Sequence, residues 1–86
     1  MQPVIDVITN WLMRAAAPRI SAELTPDTEL VVQGILDSIE ILNLVSFLEE
    51  QFGVAVPIDD FIPENFATPR AIADLVIRLA PITAAP

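Results

Sequence analysis

One short run, Asp37-Ser38-Ile39-Glu40, carries the residue types best suited to chemistry in this chain. Read locally it is a capping box. An aspartate carboxylate accepts a hydrogen bond from the backbone N–H of the third helical residue, and a glutamate reaches back to the cap. Ser38 then stands in the first turn of a helix, after a long loop, with its hydroxyl exposed. A phosphoryl group attached there would lie beside the unpaired N–H groups and partial positive charge of the helix start, which suits an anion. The same four residues also serve simply to begin a helix, so the pattern alone assigns no activity.

The rest of the chain narrows the choice by what it lacks. Its 86 residues contain no His, Cys, Lys or Tyr, and their formal charge is −8. There is no imidazole base, thiolate nucleophile or Schiff-base amine, and no His/Cys set for a metal. The two glycines, Gly34 and Gly53, stand too far apart to cradle a phosphate. Asp59-Asp60 is a carboxylate pair that reads as the cap of a short helical turn rather than as acid–base machinery. No catalytic and no metal-binding residue is therefore expected. With only four cations, all arginine, the acidic chain is repelled by nucleic acid and by anionic membranes.

The elements that must position Ser38 can be read from spacing. In residues 3–17, Val4, Ile5, Ile8, Trp11, Leu12 and Ala15 recur at intervals of three and four, an amphipathic helix stopped by Pro18. Residues 19–36 form a long loop with a turn at Thr25-Pro26-Asp27-Thr28 and anchors at Leu24, Leu30, Val31 and Ile35. The helix opened at Ser38 buries Ile41, Leu44, Val45, Leu48 and Phe52, and Gly53 ends it. After Val54-Ala55-Val56 and Pro57, irregular chain with one short helical turn at Pro63 sends Phe61, Ile62 and Phe66 into the core. Thr68 and Pro69 open a last helix whose stripe is Ile72, Leu75, Val76 and Leu79. The expected fold is all-α, a small four-helix bundle of three main helices and a short one. Residues 1–80 make the domain and 81–86 a disordered Ala/Pro-rich tail.

No charge-free stretch approaches the ~20 apolar residues of a membrane span, and no targeting signal precedes the first helix. These readings favour a cytoplasmic protein, expected as a monomer. Met1 favours a free-standing chain over a piece of a larger one.

Gly34-Ile35-Leu36-Asp37-Ser38-Ile39, the helix ending Leu48-Glu49-Glu50-Gln51-Phe52-Gly53-Val54, then Val56-Pro57 and the helix opened by Thr68, together resemble the carrier protein family of acyl and peptidyl carriers. The resemblance runs over nearly the whole chain. It implies that Ser38 receives 4′-phosphopantetheine from coenzyme A through a phosphopantetheinyl transferase. It also gives Asp37 the role of the motif acid, close to the transferase's metal as well as capping the helix. The missing thiol would be supplied by that arm, which holds acyl or aminoacyl groups as thioesters. Further implied partners are an adenylating ligase or acyltransferase that loads the arm, and downstream biosynthetic enzymes.

Ile39 and Leu42 fall off the main apolar stripe near Ser38, either as a widened core contact or as a partner surface. Glu49 and Glu50 belong by resemblance to an acidic face offered to basic partners, which Asn43 weakens. The 11 positions from Pro57 to Thr68 make a longer connection than in carriers of fatty acid synthesis. They look like D-alanyl carriers and stand-alone peptidyl carriers of nonribosomal pathways. The alternatives are fatty-acyl or polyketide cargo and, in a different class, a helical interaction module that is never modified.

Overall fold

The computed structural model describes residues 2–15 and 24–80. These form helix α1 (Gln2–Ala15), helix α2 (Ser38–Phe52) and helix α3 (Pro69–Leu79), with 3-10 turns at Ile58–Asp60 and Pro63–Phe66 between α2 and α3. No strand occurs among the described residues. The fold is the expected all-α arrangement, with two 3-10 turns in place of one short helix. Pro63 causes the split, because it cannot donate the N–H that one continuous helix would need, and its predecessor Ile62 is held extended. Each turn closes on its own bond, Phe61 N to Ile58 O and Asn65 N to Ile62 O, both at 3.0 Å.

The helix ends obey local rules. Asp37 Oδ1 accepts from Glu40 N at 2.8 Å, and Thr68 Oγ1 from Ala71 N at 3.0 Å. Gly53 adopts φ 66° and donates to Glu49 O at 3.0 Å. A Cβ there would meet nothing within 4 Å, so glycine answers a conformational demand rather than a spatial one. The expected end of the first helix, Ala17 and Pro18, lies outside the described residues, as does the 81–86 tail.

One core takes Ile5, Ile8 and Leu12 from α1, Leu44, Val45 and Leu48 from α2, Phe66 from the second turn, and Ile72, Leu75 and Val76 from α3. Each such side chain, once fully buried, contributes roughly 1.5–3 kcal/mol. Trp11 packs at the edge, its ring stacked on Phe47 at 5.7 Å, whereas Ala15 is exposed and lies outside the stripe assigned to it.

The loop before α2 is tied down at both levels. Leu30, Ile35 and Leu36 are buried. Leu30 N donates to Ala67 O at 2.7 Å, and Leu30 O accepts from Ile35 N and Leu36 N at 2.8 and 3.1 Å. Arg70 N donates to Pro26 O at 2.9 Å. The loop is thereby fixed to the start of α3 and delivers Asp37 in a set position.

Two expectations need correction. Ile62 does not enter the core; it is 43% exposed, because the residue before Pro63 is held extended, while Phe66 is buried and Phe61 packs against the core beside it. Asp59 and Asp60 do not cap a turn. Both lie inside the first 3-10 turn, whose N-cap is Pro57 without a side-chain bond. Asp60 instead joins Asn65, whose amide donates to its backbone oxygen at 2.9 Å, and Arg78 Nη2 at 3.4 Å.

Candidate functional site

Ser38 is the first residue of α2 and is exposed. Its neighbour Asp37 is extended, at φ −108° and ψ −176°, the conformation that lets a cap carboxylate turn back onto the helix. Asp37 is exposed too, so a cap and a hydroxyl stand together at the positive end of a 15-residue helix.

Beside them opens a groove of about 480 Å³. The loop contributes Val31 and Leu36 to it, α2 contributes Ile41 and Leu42, and the connection to α3 contributes Phe61, Ile62, Pro63 and Phe66. Among the described residues, Asp37 and Ser38 are the only polar side chains in its lining.

The other residues singled out from the sequence divide into groups. Ile39 is 64% exposed and Leu42 52%, which excludes the widened-core reading for both. They stand with Ser38 on the first turns of α2, as helical spacing requires. Asn43 and Ser46 continue that exposed face without charge. Glu49 and Glu50 sit at the far end of α2, also exposed. Glu49 is engaged within the fold, because its carboxylate accepts from Val56 N at 2.9 Å, across the reversal at Gly53. The two glutamates are therefore not equivalent, since one is committed to holding the chain that returns along α2.

Ionic contacts lie away from the groove. Arg70 donates to Asp27 through Nε at 3.0 Å and through Nη2 at 3.3 Å. That pairing holds the Asp27 carboxyl below its usual range and raises Arg70, through hydrogen bonding first. Arg70 and Arg78 are thus both engaged in ion pairs, and among the described residues no cation lines the groove.

Sequence reasoning missed the groove's second source of residues. Phe61, Ile62 and Pro63 line it together with the start of α2, although Ile62 reads from the sequence as a core residue. A signal was present: Ile58, Phe61 and Ile62 are three large apolar residues within five positions flanked by Pro57 and Pro63, with no period that turns all of them inward. In the structure Ile58 is 82% exposed.

Ser38 offers an accessible hydroxyl, the start of α2 favours an attached anion, and among the described residues no basic side chain lines the groove. Among the described residues no helix is long and apolar enough to cross a membrane.

Comparison with known proteins bears on the same residues. Residues 10–76 match the family model described as a phosphopantetheine attachment site. The D-alanyl carrier protein of Bacillus velezensis is 31% identical over 78 residues, 91% of this chain and 94% of that protein. Aminoacyl carrier protein 1 of Bradyrhizobium diazoefficiens is 34% identical over 67 residues, 77% of this chain and 73% of that protein. Among solved structures, one of the Bradyrhizobium japonicum glycine:[carrier protein] ligase complexed with glycylated carrier protein contains a chain matched at a TM-score of 0.63. Identity there is 27%, with 85% of this chain and 93% of that one covered.

Proposed function

We propose, from the premise that the chain belongs to the phosphopantetheine-attachment family of acyl and peptidyl carrier proteins, that Ser38 bears the cofactor and that the cargo is an aminoacyl group. The family's cofactor is covalently attached 4′-phosphopantetheine, which supplies the thiol this chain lacks. The observation that carries the Ser38 assignment is the exposed hydroxyl at the first position of α2, beside the groove and inside the matched segment.

In the attachment step the Ser38 oxygen forms a bond to phosphorus of coenzyme A. The pyrophosphate linkage breaks, adenosine 3′,5′-bisphosphate leaves, and the hydroxyl proton passes to a base of the transferase. Asp37 positions Ser38 by capping α2, and as the motif acid its exposed carboxylate would be available to a metal that the transferase brings. The start of α2 then stabilises the phosphodiester anion. The chain contributes placement and recognition and performs no catalysis of its own.

Aminoacyl cargo is supported by the relatives that carry D-alanyl and glycyl groups and by the long connection between Pro57 and Thr68. An ATP-dependent adenylating ligase loads the arm, and downstream enzymes of a nonribosomal-peptide-type route consume the thioester. The cytoplasm holds the coenzyme A and ATP this requires. Ile39, Leu42 and Glu50 belong to the partner surface, with Glu49 at its edge.

Intact-mass measurement after incubation with coenzyme A and a phosphopantetheinyl transferase tests the attachment. The expected result is a gain of one arm that vanishes in Ser38→Ala; no gain, or a gain that survives the substitution, overturns it. Charging the modified protein with purified adenylating ligases, each with its amino acid and ATP, tests the cargo. A mass gain that hydroxylamine releases supports an aminoacyl thioester, while charging only by fatty-acyl or malonyl-transferring enzymes overturns it.

A further inference from the structure

The structure assigns Gly34 as a positioning residue for arm attachment: its left-handed backbone closes the turn that holds Ser38 in place for the transferase. This rests on the function proposed above and concerns the placement of the reacting hydroxyl.

The first support is the bond pattern of residues 30–36, which is the one that ordinarily ends a helix. Gly34 N donates to Val31 O at 3.1 Å, and Ile35 N donates to Leu30 O at 2.8 Å. That nested pair needs a left-handed residue just before Ile35, and Gly34 supplies it with φ 74°. Leu36 N adds a bond to the same Leu30 oxygen at 3.1 Å. Here the pattern closes a single turn, and the chain that leaves it runs directly into α2.

The second support is what the turn fixes. Leu30 is fully buried and its N–H is bonded to Ala67 O at 2.7 Å, so the hub of the turn is fastened beside the start of α3. Ile35 and Leu36 are 3% and 2% exposed. Only Asp37 separates Leu36 from Ser38, a path of two Cα links of about 3.8 Å each. The buried residues of α2, Leu44, Val45 and Leu48, all lie beyond its first turn. They locate the body of the helix, whereas its first residue depends on the anchored segment that precedes it.

The third support is that backbone conformation alone demands glycine. A Cβ at position 34 meets nothing within 4 Å among the described residues, so there is room for a side chain. An ordinary L residue is nonetheless strained at this φ, and relaxing the strain pulls Ile35 N and Leu36 N away from Leu30 O. Asn is the exception, because it enters the left-handed region readily. Gly53 makes the same demand, at φ 66° with nothing within 4 Å, but at the far end of α2. The two glycines differ in that only Gly34 lies on the path to Ser38.

The test follows attachment kinetics on the full chain with coenzyme A and a phosphopantetheinyl transferase, by intact mass, at a temperature where circular dichroism shows each variant folded. Gly34→Ala is expected to lower kcat for attachment about tenfold with KM for the carrier little changed, the mark of a misplaced hydroxyl rather than of lost docking. Gly34→Asn should stay within about twofold of the unsubstituted protein. Gly53→Ala, which strains the fold in the same way, should leave the rate unchanged and so separates positioning from stability. An unaltered kcat in folded Gly34→Ala, an equal fall in Gly53→Ala, or a Gly34→Asn protein as slow as Gly34→Ala overturns the inference. Hydrogen exchange of the unsubstituted protein covers the case in which Gly34→Ala fails to fold. The Ile35 and Leu36 amides should exchange at least about a hundredfold more slowly than in an unstructured chain, and free-peptide rates would show the turn open in the native protein and overturn the inference. If the unsubstituted protein takes up no arm, the function beneath falls as well, a result separate from equal attachment rates in it and in Gly34→Ala.

Discussion

The starts of α2 and α3 are built from the same local parts and put to opposite uses. In each, a side-chain oxygen accepts from the third helical N–H, at 2.8 Å from Asp37 and 3.0 Å from Thr68. In each the cap carbonyl takes the first helical bond, Ile41 N to Asp37 O at 2.9 Å and Ile72 N to Thr68 O at 3.0 Å. The next residue differs. Ser38 is exposed beside a groove, whereas Pro69 is buried and its neighbour Arg70 is bonded to the loop through Pro26. Capping tells the chain where a helix begins, and only the tertiary environment decides whether that beginning is a joint or an accessible site.

The most drastic way to break this comparison is to move the hydroxyl from one start to the other. Ser38→Ala should abolish arm attachment entirely, and Ser38→Ala combined with Pro69→Ser should not restore it. Both are read by intact mass after treatment with coenzyme A and transferase. An arm gained by the double variant would mean that any capped helix start serves, and that burial of the α3 start is irrelevant.

A second contrast lies within the connection that ends at α3. Phe66 is fully buried and Ile62 is 43% exposed, although they are four residues apart. Phe66→Ala should cost about 3–5 kcal/mol, a large share of the roughly 5–15 kcal/mol that holds a domain together. Ile62→Ala should stay within about 0.5 kcal/mol. Urea denaturation of the two variants checks this, and equal losses would put Ile62 back in the core.

This contrast also marks where the sequence was legible. Helix limits were, because Asp37, Gly53 and Thr68-Pro69 act through bonds to residues three or four positions away. The exposed place of Ser38 at a helix start was legible for the same reason, whereas its role as the attachment site is a proposal that rests on the resemblance to carrier proteins. Burial along residues 57–67 was not legible. Prolines remove the helical period there, so nothing local says that Phe66 turns in and Ile62 turns out. Contacts that depend on chain reversal were equally hidden: Glu49 reaches Val56 only because Gly53 turns the backbone, and Arg70 meets Asp27 across 43 positions.

The two caps themselves allow a finer test. Asp37→Ala and Thr68→Ala should each cost about 1 kcal/mol, the ordinary worth of an N-cap. Their effects on function should part: Asp37→Ala slows arm attachment as well, while Thr68→Ala leaves its rate unchanged at temperatures where both proteins are folded. Equal rates in the two variants would reduce Asp37 to a helix cap with no share in positioning Ser38.

The smallest expected effect concerns what anchors the α3 start, the Asp27–Arg70 pair. Both side chains are at least half exposed, so the pair is a weak contributor that salt screens. Arg70 lowers the Asp27 carboxyl below its usual 3.8, so the folded state favours the ionised form. Its contribution is present in full above 3.8 and disappears as pH falls through the lowered value in the folded protein. Protonation of the other carboxylates acts alike on the native protein and on Asp27→Asn, so the difference between them isolates the pair. Denaturation curves should show Asp27→Asn slightly less stable at neutral pH and low salt, with the gap closing both in high salt and in acid. Arm attachment to Ser38 should not respond, because the loop stays fastened by the Arg70 N to Pro26 O and Leu30 N to Ala67 O bonds. A gap that widened in acid would contradict the sign of the shift. A fall in attachment rate would show that the ion pair, rather than those backbone bonds, keeps Ser38 in position.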